Sequence, residues 1–211
     1  MERVNVYIDG PNLLGAVSDI NKKRVWLDPF RIACQLIDKQ KEKLQTVFYA
    51  ETPYPENLHS PDTFRKQQSF FGNIHSYIEN KKIIHIKGSY RIDTVRVPLF
   101  IVNSLKPDFR NLVESINWKK PIEKGGDVGL AVRLVRDAFR GEYDHGILVT
   151  ADQDFTPAVN IVLSDAKKKI TIAYVHNSTR NALALRNRCS EAGFIQITRK
   201  MLDACEIRKG P

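Results

Sequence analysis

The run Gly146-Ile147-Leu148-Val149-Thr150-Ala151 constrains the fold more than any other stretch of the chain. It is nearly free of polar side chains, so as a strand it has no face to turn toward water. A strand buried on both faces belongs in the middle of a parallel sheet covered by helices. Its surroundings repeat the theme. Extended runs are expected at Val4–Ile8, Leu44–Ala50, Ile83–Ile86, Ile170–Val175 and Phe194–Thr198. Helices are expected between them. Asp28-Pro29 and Ser60-Pro61 place a capping side chain before a proline, which signals a helix start. Thr156-Pro157 repeats the signal. Val128, Leu130, Ala131, Leu134, Val135 and Ala138 mark one side of a helix that begins at Asp127. A further helix is expected over Asn181–Ala192. Strands alternating with helices predict an α/β fold with a doubly wound, mainly parallel sheet. Ligands on such sheets sit at the carboxyl ends of the strands, where the strand order reverses.

Acidic residues lie where that rule looks for a site. Asp9 ends the first strand, in Ile8-Asp9-Gly10-Pro11-Asn12. Asp152 follows the apolar run, and Asp154 lies two residues on, before Thr156-Pro157. Asp127 opens its helix after Gly125-Gly126. Carboxylates converging on one edge raise each other's pKa, and a bound divalent cation relieves that cost. Taken singly, each also has an ordinary explanation as a strand-end cap or an acid at a helix N-terminus. Asn12 likewise reads as a turn residue after Gly10-Pro11.

The length of 211 residues suits one domain, with 88–121 an insertion or an edge hairpin. Within it, Tyr90–Phe100 reads as extended and Phe109–Ile116 as helical. That stretch is also a candidate homodimer interface. Lys and Arg outnumber Asp and Glu by 33 to 24, which favours a polyanionic partner such as nucleic acid. Basic clusters stand at Lys22-Lys23-Arg24, Lys81-Lys82, Lys119-Lys120 and Lys167-Lys168-Lys169. Lys119, Lys120 and Lys124 adjoin the central acidic motif and are candidates to guide a phosphate backbone. Ser178 and Arg180, between a strand and a helix, are candidate phosphate contacts. Trp118 and Tyr90 are candidates to stack on bases. Cys34, Cys189 and Cys205 form neither a disulfide framework nor a zinc pattern and read as buried thiols of a reducing compartment. The chain begins without an apolar leader, and no run approaches the roughly 20 residues that span a bilayer. The expectation is a cytoplasmic protein without membrane partners.

Three motifs carry a family resemblance. Ile8-Asp9-Gly10-Pro11-Asn12-Leu13 resembles the opening motif of NYN-domain nucleases in the PIN-like superfamily. Glu123-Lys124-Gly125-Gly126-Asp127-Val128 is similar to their central motif, and Val149-Thr150-Ala151-Asp152-Gln153-Asp154-Phe155 to their third. The LabA-like branch is the nearest in pattern. The resemblance implies a three-layer α/β/α sandwich forming one NYN/PIN-like domain over 1–211. It implies metal-dependent phosphodiester hydrolysis, with single-stranded RNA favoured over DNA. Asp9, Asp127, Asp152 and Asp154 would hold Mg²⁺ or Mn²⁺. Asn12 would orient the first carboxylate or contact a phosphate, with Glu123 an outer ligand and Lys124 touching substrate.

The chain departs from the family in two places. Arg133 stands where many relatives carry an acid, with Asp137 one helical turn further on. Thr150-Ala151 replaces a common Ser-Gly. The first departure supports an alternative, a catalytically weak or inactive RNA-binding regulator on the same fold. A haloacid-dehalogenase-type phosphatase is disfavoured, because Gly10-Pro11 follows Asp9 where that chemistry needs an acid two residues on. Gly10-Pro11-Asn12-Leu13-Leu14-Gly15 also lacks the patterns of dinucleotide and P-loop sites.

Overall fold

The computed structural model describes residues 1–21, 25–55, 60–97, 116–175 and 179–207. Six strands form one parallel sheet: β1 (Glu2–Asp9), β2 (Glu42–Ala50), β3 (Ile83–Ile86), β6 (His145–Val149), β7 (Lys169–Val175) and β8 (Gly193–Ile197). Their order is β3-β2-β1-β6-β7-β8. The chain winds outward from β1 to β3, returns to lay β6 beside β1, and winds outward again. The reversal therefore lies between β1 and β6, the junction where such sheets bind ligands. A separate two-stranded ribbon pairs β4 (Ser89–Val97) with β5 (Ile116–Lys124) antiparallel.

The pleat sends alternate side chains into two cores. Val4, Val6 and Ile8 of β1 face one core with Val47, Tyr49, Ile147 and Val149. Tyr7 faces the other with Phe48 and Leu148. The first core is covered by α1 (Gly10–Asn21), α2 (Pro29–Leu36), α3 (Pro61–Glu79) and α7 (Arg199–Cys205). The second is covered by α4 (Gly126–Phe139), α5 (Thr156–Ser164) and α6 (Thr179–Arg188). The result is the expected three-layer α/β/α sandwich. Full burial of every residue of β6 agrees with its apolar composition.

The helix starts at α2 and α3 follow the sequence signals. Asp28 accepts from the backbone N–H groups of Phe30 and Arg31 at 2.9 and 3.0 Å. Ser60 accepts from Thr63 N–H at 3.2 Å. Elsewhere the structure differs. Asn12 lies in the first turn of α1, not in a turn between elements. Thr156 is the first residue of α5 instead of its cap, and its hydroxyl donates to the Gln153 carbonyl at 2.6 Å. The sixth helix stops at Arg188, short of Ala192. Helices α1 and α7 are additions to the expected elements, and the β4–β5 ribbon falls on the stretch read as an insertion or an edge hairpin. The helix expected over Phe109–Ile116 falls outside the described residues except for Ile116, which begins β5.

Candidate functional site: a carboxylate edge at the strand reversal

Asp9 is the last residue of β1 and is only 2% exposed. Both carboxylate oxygens are held. Oδ1 accepts from the Asn12 backbone N–H at 3.1 Å, and Oδ2 accepts from the Thr150 hydroxyl at 2.8 Å. Thr150 lies just beyond β6, and its Oγ1 in turn accepts from Asp152 N–H at 3.1 Å. The Asn12 side chain accepts from Ala151 N–H at 3.1 Å. Two of these hydrogen bonds, Thr150–Asp9 and Ala151–Asn12, join the ends of β1 and β6, residues distant in sequence, and the other two brace each end locally. Asp152 caps a short 3₁₀ turn, Gln153–Phe155, by accepting from Asp154 N–H at 3.0 Å. Asp127 stands in the first turn of α4, where Gly125 takes a left-handed φ of 88° that a side chain would strain.

The electrostatics register the convergence. Burial pushes the Asp9 carboxyl up to about 7. The Asn12 and Thr150 hydrogen bonds oppose that rise, and the charges of Asp127 and Asp152 add to it. The Asp127 carboxyl is raised too, first by partial burial and then by Asp152 and Asp154. Asp127 remains accessible to water as a residue, so only its inner side is desolvated. The structure therefore places Asp127 within the field of the other three sequence-selected aspartates. Asp152, Asp154, Asn12 and Gln153 line a cleft of about 430 Å³ with Asn181 and Arg188 of α6.

Other candidates are placed differently. Glu123 accepts a hydrogen bond from the Thr52 hydroxyl and lines a neighbouring cleft with Tyr54 and Tyr90. Lys124 is exposed at the end of β5. Lys119 and Lys120 lie in β5, opposite Thr94 and Asp93, with side chains outside the described residues, as are those of Trp118 and Arg180. Ser178 and Lys22-Lys23-Arg24 lie outside them altogether. Arg133 packs its guanidinium 5.2 Å from the centre of the Phe48 ring. Asp137 is fully buried, accepting from the Tyr7 hydroxyl at 3.0 Å and pairing with Arg136 at 2.7 Å. Ten residues separate it from Asp127, about 15 Å along the helix, so it does not replace the acid missing at Arg133.

A second acidic group lies at the opposite end of the sheet. Glu2, Glu42 and His145 start β1, β2 and β6 and bring one ligand atom each within 4.8 Å of the others. Its polar atoms are satisfied internally. His145 contacts Glu42 Oε1 at 2.6 Å and Thr171 Oγ1 at 2.8 Å through its two ring nitrogens. Lys169 pairs with Glu2 at 3.3 Å. A cation here would have to break that network, whereas at the Asp9 edge it would relieve a charge conflict.

Two features of the edge were missed in reading the sequence. Glu51 follows β2 beside Asp9, is 2% exposed, and accepts from the Gln67 side chain at 2.9 Å. Its signal was available, since it ends an apolar strand as Asp9 does. Arg188 had no comparable signal, because only the packing of α6 brings it to the cleft.

Together the sandwich and the edge describe a doubly wound α/β protein with a carboxylate cleft at its strand reversal. The family model for the NYN domain matches residues 3–198, and the chain belongs to that family, a PIN-like nuclease domain. A curated relative, 6-hydroxy-3-succinoylpyridine 3-monooxygenase HspA of Pseudomonas putida (strain DSM 28022 / S16), is 31% identical over 97 residues. That match covers 45% of this chain and only 30% of the relative. The fold is similar to the crystal structure of VPA0982, a protein of unknown function from Vibrio parahaemolyticus RIMD 2210633. The TM-score is 0.53, at 16% identity over 93% of each chain.

Proposed function

We propose that this protein is a metal-dependent endoribonuclease that hydrolyses phosphodiester bonds in single-stranded RNA in the cytoplasm. The observation that carries the reading is the Asp9 carboxyl, buried at the strand reversal and pushed up to about 7 with Asp127 and Asp152 beside it. Hard divalent ions prefer such an all-carboxylate donor set. Asp9, Asp127, Asp152 and Asp154 would hold Mg²⁺ or Mn²⁺. Such an ion supplies an activated water and neutralises charge on the scissile phosphate. The chain's own residues do the positioning. Thr150 and the Asn12 N–H fix the two oxygens of Asp9. The Asn12 side chain holds the Ala151 backbone, and the 3₁₀ turn sets Asp154 relative to Asp152. Lys124, at the end of β5, would attract the phosphate backbone, and Lys119, Lys120, Ser178 and Arg180 are the further candidate substrate contacts. The activity in the Pseudomonas relative's name stays with that protein, of which this chain matches less than a third.

The test is cleavage of labelled single-stranded RNA with Mg²⁺, Mn²⁺ or EDTA. The native protein should cut only with the metal, and Asp152→Asn should lose at least about 10²-fold in rate while keeping its fold by circular dichroism. Full activity in Asp152→Asn would remove that residue from the site. Metal-dependent binding without cleavage would favour the regulatory alternative, to which the Arg133 position lends its support.

A further inference from the structure

We infer that Arg188 is the residue that grips the phosphodiester at this edge, a reading that rests on the nuclease assignment and extends it to substrate contact. Helix α6 is anchored by one face, on which Ala182, Leu185 and the adjoining Cys189 are at most 2% exposed. Asn181 and Arg188 are seven residues apart, two turns on one stripe and about 10 Å along the axis. Both line the 430 Å³ cleft together with Asp152 and Asp154. The end of the helix is secured from outside, since the Arg188 carbonyl accepts from the Asn160 side chain of α5 at 3.3 Å. The Arg188 backbone is thus held at the cleft, and the residue is exposed to solvent.

Two other arginines have structural occupations. Arg186 lies 5.7 Å from the centre of the Phe194 ring, and Arg136 pairs with Asp137. Arg188 shares a cleft with two carboxylates, yet among the described residues it forms no ion pair with a carboxylate within 4 Å. The lining of the cleft therefore combines acids with an arginine. A phosphodiester fits between them. Its oxygens are repelled by bare carboxylates and attracted once a cation covers those acids, while the guanidinium can take two of them side by side. Negative charge on those oxygens grows as the phosphorus is attacked, so a contact from Arg188 strengthens toward the transition state. The sequence-based candidate at this helix, Arg180, lies at its other end.

The experiment compares Arg188→Ala, Arg188→Lys and the control Arg186→Ala in cleavage of labelled single-stranded RNA. Thermal melting with and without Mn²⁺ is measured in parallel. Arg188→Ala should lose roughly 10²-fold in kcat/KM, mainly in kcat. Arg188→Lys should recover part of that loss, and Arg186→Ala should cut like the native protein. The Mn²⁺-induced rise in Tm should be equal in all of them, because none of the changes touches the carboxylates. Native-like kcat/KM in Arg188→Ala would overturn the inference and leave the nuclease assignment standing. If the native protein cuts nothing, the nuclease assignment fails and RNA affinity in Ca²⁺ decides. The slope of log affinity against log salt should be shallower by about one in Arg188→Ala, and an unchanged slope would overturn the phosphate contact.

Discussion

Asp9 is held in a conflict that its neighbours do not resolve. Two hydrogen bonds favour its ionised form, while burial and two nearby carboxylates oppose it more strongly. Its folded pKa, about 7, stands above the value near 3.9 of an unfolded chain. The native protein therefore retains a proton that the unfolded chain has released. The resulting stabilisation is fully present below the unfolded value and is lost as pH rises through about 7. Asp9→Asn should accordingly melt higher than the native protein at pH 8 without metal, by an equivalent of up to about 4 kcal/mol, and the gap should close as pH falls toward about 4. Adding Mn²⁺ should raise the Tm of the native protein more than that of the variant. A variant less stable than the native protein at pH 8 would contradict this account. The acids were legible in sequence because each ends an apolar strand or opens a helix. The state of Asp9 was not, because it depends on which hydroxyl and which charges a distant strand delivers.

The β1–α1 junction shows what an element needs in order to begin where it does. A Cβ on Gly10 would lie 2.3 Å from the Ala50 carbonyl oxygen and 2.9 Å from Glu51 Oε2. The obstacle at Ala50 is backbone of the adjacent strand and cannot swing away. Gly10→Ala should cost about 2–4 kcal/mol in chemical denaturation and displace the Asp9 carboxylate, so cleavage should fall with stability. A variant with native stability would show that the junction can relax. Element starts of this kind divide into those written locally and those written by packing. Asp28-Pro29 and Ser60-Pro61 carry their own caps, so α2 and α3 were readable. Gly10-Pro11-Asn12 looks like a turn, and becomes helical because Asp9 accepts the Asn12 N–H and β2 leaves room only for glycine. Strand β5 was obscured by Pro121 and its lysines. Its ribbon pairing with β4 places Pro121 opposite Ile92, and a ribbon edge tolerates a residue without an N–H.

For the molecule as a whole, the two ends of the sheet do different work. At the amino end, Glu2, Glu42, His145, Thr171 and Lys169 are bonded to one another. At the carboxyl end, like charges are pressed together. The contact that closes the carboxyl end spans 141 residues of chain, from Thr150 to Asp9, and the Asn12–Ala151 bond spans 139. Contacts so distant in sequence form late, after loop-closure entropy has been overcome. In refolding from urea, Mn²⁺ uptake should accompany the last kinetic phase, and uptake with the first gain of helical signal would contradict this order. During synthesis the same geometry acts as a timer. A chain still on the ribosome that has not delivered β6 holds Asp9 without Thr150, Asp152 or Asp154. The edge is completed only when most of the molecule exists, so an unfinished copy carries Asp9 without the carboxylates that complete the cluster.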